Sequence, residues 1–266
     1  MKLTADRRLL AAAVLVCWGI GLVWLVRRRH DVSDADRLAQ GVLRLEPGTY
    51  FYTVYQTGEP IGWASSSLDT GSTGFTSREA VRVRALIAGD SQTVVASSTA
   101  HLTRAFELDT FALSVNGDEH PFTVRQTPPT GSRVLVPSLA PIAIMLTRKP
   151  SVGASTVMSV YNPISRRVER VTLGIAAESL FTVVDSAVFD TAQHRWAVAH
   201  TDTVRSWEIV PPSRAVSAWV DSRGRLVAAS EPGGLSIMRS TYELATLNPK
   251  LNPKLNPKLN PKPPKH

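Results

Sequence analysis

The run Tyr50-Phe51-Tyr52-Thr53-Val54-Tyr55 (YFYTVY) is aromatic and β-branched throughout, a composition that suits a pleated, half-buried strand. Gly58-Glu59-Pro60 reads as a turn, and Ile61-Gly62-Trp63-Ala64 resumes the strand, so residues 50–64 predict a β-hairpin. Downstream, Glu79 to Ile87 (EAVRVRALI) alternates. Ala80, Arg82 and Arg84 fall on one face, and Val81, Val83 and Ala85 on the other. A turn at Gly89-Asp90 leads into Gln92 to Ala100. Asn116-Gly117, a strong hairpin signal, joins Phe106–Val115 to Pro121–Arg125.

The same texture returns after Tyr161-Asn162-Pro163. Arg166 to Ile175, Leu180 to Phe189, Arg195 to Thr203 and Val216 to Val220 are separated by polar or turn-rich stretches. Ser222-Arg223-Gly224-Arg225 marks another hairpin turn before Leu226 to Ala229. Between the two series lies Leu135 to Leu146 (LVPSLAPIAIML), apolar and broken by two prolines, which suits a short helix or an apolar loop. About ten short strands at this spacing predict a mainly β domain over residues 50–246: a large antiparallel sheet, curved (a half-barrel) or sandwich-like.

Upstream the pattern breaks. Leu9 to Val26 is free of charge, preceded by Arg7 and Arg8 and closed by Arg27, Arg28 and Arg29. At ~1.5 Å per residue a helix of this length spans ~27 Å, enough for a hydrocarbon core. A secretory signal peptide shares the charged start and apolar middle. It would end in small residues, whereas this run meets three arginines. The reading is an N-terminal transmembrane anchor (9–26) after a short flank (1–8), followed by a juxtamembrane linker (27–49). In that linker Asp31, Asp34 and Asp36 favour a short helix through Leu38, interrupted at Gly41. Ala13, Cys17 and Gly21 form a small-residue stripe at i, i+4 and i+8, suited to close approach of another membrane helix. Trp24 sits near one end of the span, and Trp18 lies mid-span, where it could face a neighbour. No histidine lies within the span to ligate a haem or chlorophyll metal, and no cofactor is predicted anywhere in the chain.

The chain closes on four copies of Leu-Asn-Pro-Lys, Leu247 to Lys262, and then Pro263-Pro264-Lys265-His266. Proline at every fourth position forbids a regular helix and favours extended, solvated backbone. The tail (247–266) reads either as a spacer or as a strap. As a strap, Leu247, Leu251, Leu255 and Leu259 dock on a partner while Lys250, Lys254, Lys258 and Lys262 meet acidic groups or lipid headgroups.

The formal net charge of +8 is unevenly held. Residues 1–30 carry +5 and the tail +5, which leaves −2 for the middle of the chain. Basicity confined to two ends argues against a nucleic-acid-binding domain and for contacts at a membrane. A short N-terminal anchor usually leaves its long C-terminal domain outside the cytoplasm. The expected location is therefore the bacterial inner membrane, single-pass, with the main domain in the periplasm. The chain's one cysteine is Cys17, so the domain holds neither a disulfide nor a thiol nucleophile.

Catalytic constellations are missing: there is no G-x-S-x-G, P-loop, H-E-x-x-H or G-x-G-x-x-G. Gly89-Asp90-Ser91 reads as a turn between strands. His194, His200, Asp190 and Asp202 form one His/Asp cluster, in which His200 and Asp202 would share a strand face. Solvated loop and strand residues account for them more simply than a metal site. His101 and His120 have no matching partners, and Glu59 and Asp221 read as turn residues.

Several stretches resemble a β-rich extracytoplasmic region that accompanies bacterial transglutaminase-like domains. They are Val54 to Ala64 (VYQTGEPIGWA), Phe106 to Phe111 (FELDTF), Tyr161-Asn162-Pro163, Trp219 to Leu226 (WVDSRGRL), and Gly233-Gly234-Leu235 through Ala245. The resemblance spans roughly residues 50–246 through short, degenerate motifs. It implies a strongly curved antiparallel sheet similar to the half-barrel of periplasmic lipoprotein carriers, a shape that encloses acyl chains. No transglutaminase Cys–His–Asp core follows. These observations lead to a non-enzymatic, membrane-anchored accessory or scaffolding subunit that braces other membrane protein subunits against the bilayer. Respiratory and photosynthetic assemblies both fit, and no residue chooses between them. The alternative is a lipid- or apolar-ligand-binding periplasmic module, with Pro137 to Leu146 as the lid.

Overall fold

The computed structural model describes residues 34–42, 45–87, 90–116, 118–123, 134–147, 149–163, 165–213 and 215–247. The anchor of residues 9–26 and the repeat tail beyond Leu247 lie outside the described residues. Among the described residues no helix is long and apolar enough to cross a membrane.

The chain opens with helix α1 (Asp34–Val42). Six strands follow: β1 (Gly48–Gln56), β2 (Glu59–Thr70), β3 (Gly74–Ile87), β4 (Asp90–Thr103), β5 (Leu108–Val115) and β6 (Asp118–Thr123). Next come the short β7 (Val134–Leu135), a single 3-10 turn (Pro137–Leu139) and helix α2 (Ala140–Thr147). The second series is β8 (Ser155–Asn162), β9 (Arg167–Asp190), β10 (Arg195–Val210), β11 (Ser217–Asp221), β12 (Leu226–Ser230) and β13 (Leu235–Ser240). Helix α3 (Tyr242–Thr246) ends the domain, with the Thr241 side chain accepting from Leu244 N–H as its N-cap.

All thirteen described strands belong to one sheet, in the order β6-β5-β4-β3-β2-β1-β13-β12-β11-β10-β9-β8-β7. Every neighbouring pair is antiparallel except the short parallel pair β7–β8 at one edge. The first series is a meander running outward from the centre, the second runs from the opposite edge back inward, and the two meet where the first strand pairs the last, Phe51↔Ser240 to Gln56↔Leu235. One curved sheet is present, not a sandwich. Its two ends are brought together: Phe111 of β5 and Tyr161 of β8 lie with ring centroids 6.0 Å apart. The result is a nearly closed, barrel-like sheet.

The core fills the gap between those ends. Phe106 is fully buried in the turn before β5 and packs edge-on against Phe75 at 5.7 Å. Leu38 and Val42 of α1 and Leu139 and Ala143 beside and within α2 join the same cluster. Removing a ring such as Phe106 would cost ~3–5 kcal/mol, a large part of the stability of an ordinary domain.

The structure departs from the sequence reading in four places. Gly41 does not interrupt α1. The helix passes through it, and the glycine serves the packing instead: a Cβ there would stand 2.9 Å from Leu146 Cβ and hold α1 off α2. Residues 34–45, read as linker, contribute Leu38, Val42 and Leu45 to the core. The first hairpin turns at Thr57-Gly58, both with positive φ (49° and 86°), and Glu59 and Pro60 already belong to β2. Finally, the segments read as separate strands at 166–175 and 180–189 are one strand of 24 residues. Ala176 is skipped in the pairing with β10, so a bulge absorbs the irregularity that looked like a break.

Candidate ligand-binding cavity

The concave face of the central strands, roofed by the 3-10 turn and α2, encloses a cavity of about 400 Å³. Its floor comes from β1–β3 and from β11–β13, so both meanders contribute to it. Ala64, Val220, Leu226 and Ile237 line the floor, and Pro137, Pro141 and Ile142 line the roof. The stretch expected to act as a lid therefore lies over the concave face. It is pinned there by the β11–β12 turn. Gly224 has φ +76°, and a Cβ on it would stand 2.3 Å from Ile142 Cα and 2.9 Å from the Pro141 carbonyl oxygen. Only glycine lets the turn touch the helix backbone this closely.

Polar groups gather at one wall. Arg225 and Arg239 both lie against the Tyr50 ring, with guanidinium carbons 4.7 and 5.1 Å from its centroid. Arg239 is almost buried and is neutralised by Asp221, its Nη2 donating to Oδ2 at 3.2 Å while Nε donates to the Leu226 carbonyl. The Glu46 carboxylate is taken by Arg223. Arg225 donates from Nη2 to the Glu46 backbone carbonyl at 3.0 Å, and among the described residues no carboxylate lies within ion-pair distance of it. Burial holds its guanidinium below the ordinary value, Glu46 opposes that shift, and neighbouring Arg239 adds to it. Asp221 also organises the turn, because its Oδ1 accepts from the backbone N–H groups of Arg223 and Arg225. It is thus a turn residue, as read, and an ion-pair partner as well.

Tyr52 is buried, and its hydroxyl has no hydrogen-bond partner among the described residues. Burial raises its phenol well above the usual range; Arg239 lowers it, and Asp221 and Glu79 raise it further. On the opposite wall, the Glu79 carboxylate accepts from Ser98 Oγ at 3.3 Å.

A second surface lies on β9 and β10, none of whose residues line the cavity. Beyond Ala176, β9 pairs with β10 alone, and β10 from Arg195 to Arg205 pairs with β9 alone. The two strands form a ribbon whose outer edges pair with no other strand among the described residues. Its base is anchored by Val183, which is buried, by Phe181 against Trp219 at 4.9 Å, and by Glu178, which accepts from Arg205 and from Trp207 Nε1. At the tip, Asp190 Oδ1 accepts from Ala192 and Gln193 N–H and closes the turn. The pairs Ala187↔Val198 and Phe189↔Trp196 project from the same side. Phe189 and Trp196 stack edge-on at 5.5 Å, and Phe189 and Val198 are about half exposed.

Of the residues singled out for partner contact, Ala13, Cys17, Trp18, Gly21, Trp24, Lys250, Leu251, Lys254, Leu255, Lys258, Leu259 and Lys262 lie outside the described residues. Leu247 is half-buried and caps α3, its N–H donating to the Glu243 carbonyl at 3.0 Å. His200 Nε2 lies 3.5 Å from Asp202 Oδ1 on the exposed ribbon. Among the described residues no three His, Cys, Asp or Glu side chains converge as metal ligands would. His101 Nδ1 is 3.2 Å from Thr76 Oγ1. Sequence reasoning missed Tyr50, Tyr52, Arg225 and Arg239. Aromatics at alternate positions of β1 were the available signal, but they also satisfy a plain strand.

Comparison with known proteins adds little. No protein-family model matches the chain, and no curated protein matches. Among solved structures, the chain is similar to a beta-barrel-like protein of a domain of unknown function, DUF1849, from Brucella abortus. The two share 10% identity over 74% of this chain and 96% of that one, with a TM-score of 0.42.

Proposed function

We propose that the protein is a non-enzymatic accessory subunit, held at the bacterial inner membrane by residues 9–26, whose periplasmic β-domain braces other membrane protein subunits. The β9–β10 ribbon carries this reading. Among the described residues it extends past every neighbouring strand, leaves its backbone edges without a strand partner, and exposes Phe189 and Val198 at its tip. A monomer with no use for such an arm would cover or shorten it. The bulges at Val198–Thr201 twist the ribbon and disfavour simple edge pairing. The apolar tip face is therefore the contact surface, and the docked partner is another subunit of the same membrane assembly.

Replacing Phe189 and Val198 together by Asp tests this on the intact chain, expressed in its own host and extracted in mild detergent. Native electrophoresis should show the wild type in a high-mass band and the double variant at least ~10-fold depleted from it. The circular dichroism of the purified variant should be unchanged. Full retention of the double variant in the high-mass band would overturn the reading.

A second reading rests on the cavity. An apolar space roofed by a helix at the small end of the ~300–1,000 Å³ typical of ligand sites suits one apolar chain. The two readings are compatible, since ribbon and cavity lie on different parts of the sheet.

A further inference from the structure

We propose that the cavity binds a single-chain amphiphile with an anionic head, a carboxylate or a phosphate monoester, with the head on Arg225 and the chain along the floor toward Ile237. This rests on the cavity reading above and adds a chemical identity to it.

Three observations carry it. First, of the three guanidinium groups at this wall, Arg223 is paired with Glu46 and Arg239 with Asp221, while Arg225 donates to a backbone carbonyl and, among the described residues, meets no carboxylate. Its fork therefore has donors to spare for an acidic head, the geometry in which arginine binds carboxylate and phosphate best. Second, Tyr52 lines the cavity with a buried hydroxyl that has no partner among the described residues. Buried hydroxyls are rarely left so, and an acceptor oxygen of a head group would satisfy it. Tyr52 is two residues along β1 from Tyr50, ~7 Å on a strand, within reach of a head group held by Arg225. Third, the charge is asymmetric. Ser66 separates Tyr50 from Glu79 in the register, which places Glu79 two strands away, ~10 Å across the floor. Its negative charge disfavours an anion at that wall and so fixes which end of the ligand faces which wall. Glu46, which Arg225 contacts, is exposed, so the head end opens to solvent. The burial that weakens the Arg225 cation on its own is the same burial that strengthens its attraction for an anion there.

The test uses the full chain in nanodiscs, with empty nanodiscs as the blank and radiolabelled dodecanoate, lysophosphatidate and dodecanol as probes. Dodecanoate, lysophosphatidate or both should bind at least ~10-fold more tightly than dodecanol, and the better of the two identifies a free acid or a lipid source. Arg225→Gln should reduce that preference to within ~3-fold while leaving dodecanol binding unchanged, and Arg225→Lys should keep most of it. Ile142→Trp, which fills the roof, should abolish binding of all three. Equal binding of dodecanol and the anions by the wild type would overturn the head-group assignment and leave the cavity reading standing. No binding of any probe would overturn both. If Arg225→Gln does not fold, the wild-type ratio and the Arg225→Lys variant decide the question.

Discussion

Tyr52 shows what one buried polar group does to the whole domain. Its folded-state pKa lies above the ordinary value of 10, chiefly through burial. The sign follows from which state holds the proton. Above pH ~10 the unfolded chain releases the phenol proton while the folded chain keeps it, so stability is complete below that pH and is lost as pH rises beyond it. The melting temperature should be flat from pH 7 to 9 and fall above pH 10, where this one proton removes up to ~1.4 kcal/mol of stability for each further pH unit. Tyr52→Phe should flatten that alkaline fall; an unchanged profile would assign the loss to other groups. Nothing about Tyr52 was legible beforehand except its membership of an aromatic strand. Burial, the missing partner for its hydroxyl and its closeness to Arg239 all depend on β13, almost two hundred residues downstream.

At the scale of elements, the turns were the clearest part of the chain. Asn116 (φ 51°) and Gly224 (φ 76°) stand in hairpin turns where their residue types predict them. The long ribbon was not legible, because Ala176-Ala177-Glu178-Ser179 lacks the β-branched texture of a strand and is carried by pairing with β10. The candidate cavity was half legible. Its roof is one continuous apolar stretch, whereas its floor is drawn from six strands of both meanders. Local chemistry does not say which of those strands become neighbours. The β11–β12 turn gives a direct test of how the roof is held. Gly58 and Gly224 both have positive φ, yet a Cβ at Gly58 meets nothing within 4 Å, whereas one at Gly224 meets the α2 backbone. Gly58→Ala should therefore cost ~1 kcal/mol of backbone strain, and Gly224→Ala on the order of 3 kcal/mol, by urea denaturation. Equal costs would show that the turn and helix are not in fixed contact.

For the whole molecule, the deciding fact is that the first and last strands pair at the middle of the sheet. Phe51↔Ser240 lies at the end of that ladder where the chain enters β1 and leaves β13, and Gln56↔Leu235 lies at the far end. A membrane anchor on one side and an extended tail on the other would place any tension between attachment points on this ladder. Force applied there peels the rungs open one after another, beginning with Phe51↔Ser240. The same ladder pulled from Thr57 and Thr241 would have to slide, with all rungs loaded together. In an optical trap, handles at Gly48 and Thr241 should open the sheet at a clearly lower force than handles at Thr57 and Thr241, and equal forces would contradict the pairing. The domain is thus built to yield along a zip at its centre when the start of β1 and the end of β13 are drawn apart, dividing the sheet into its two meanders.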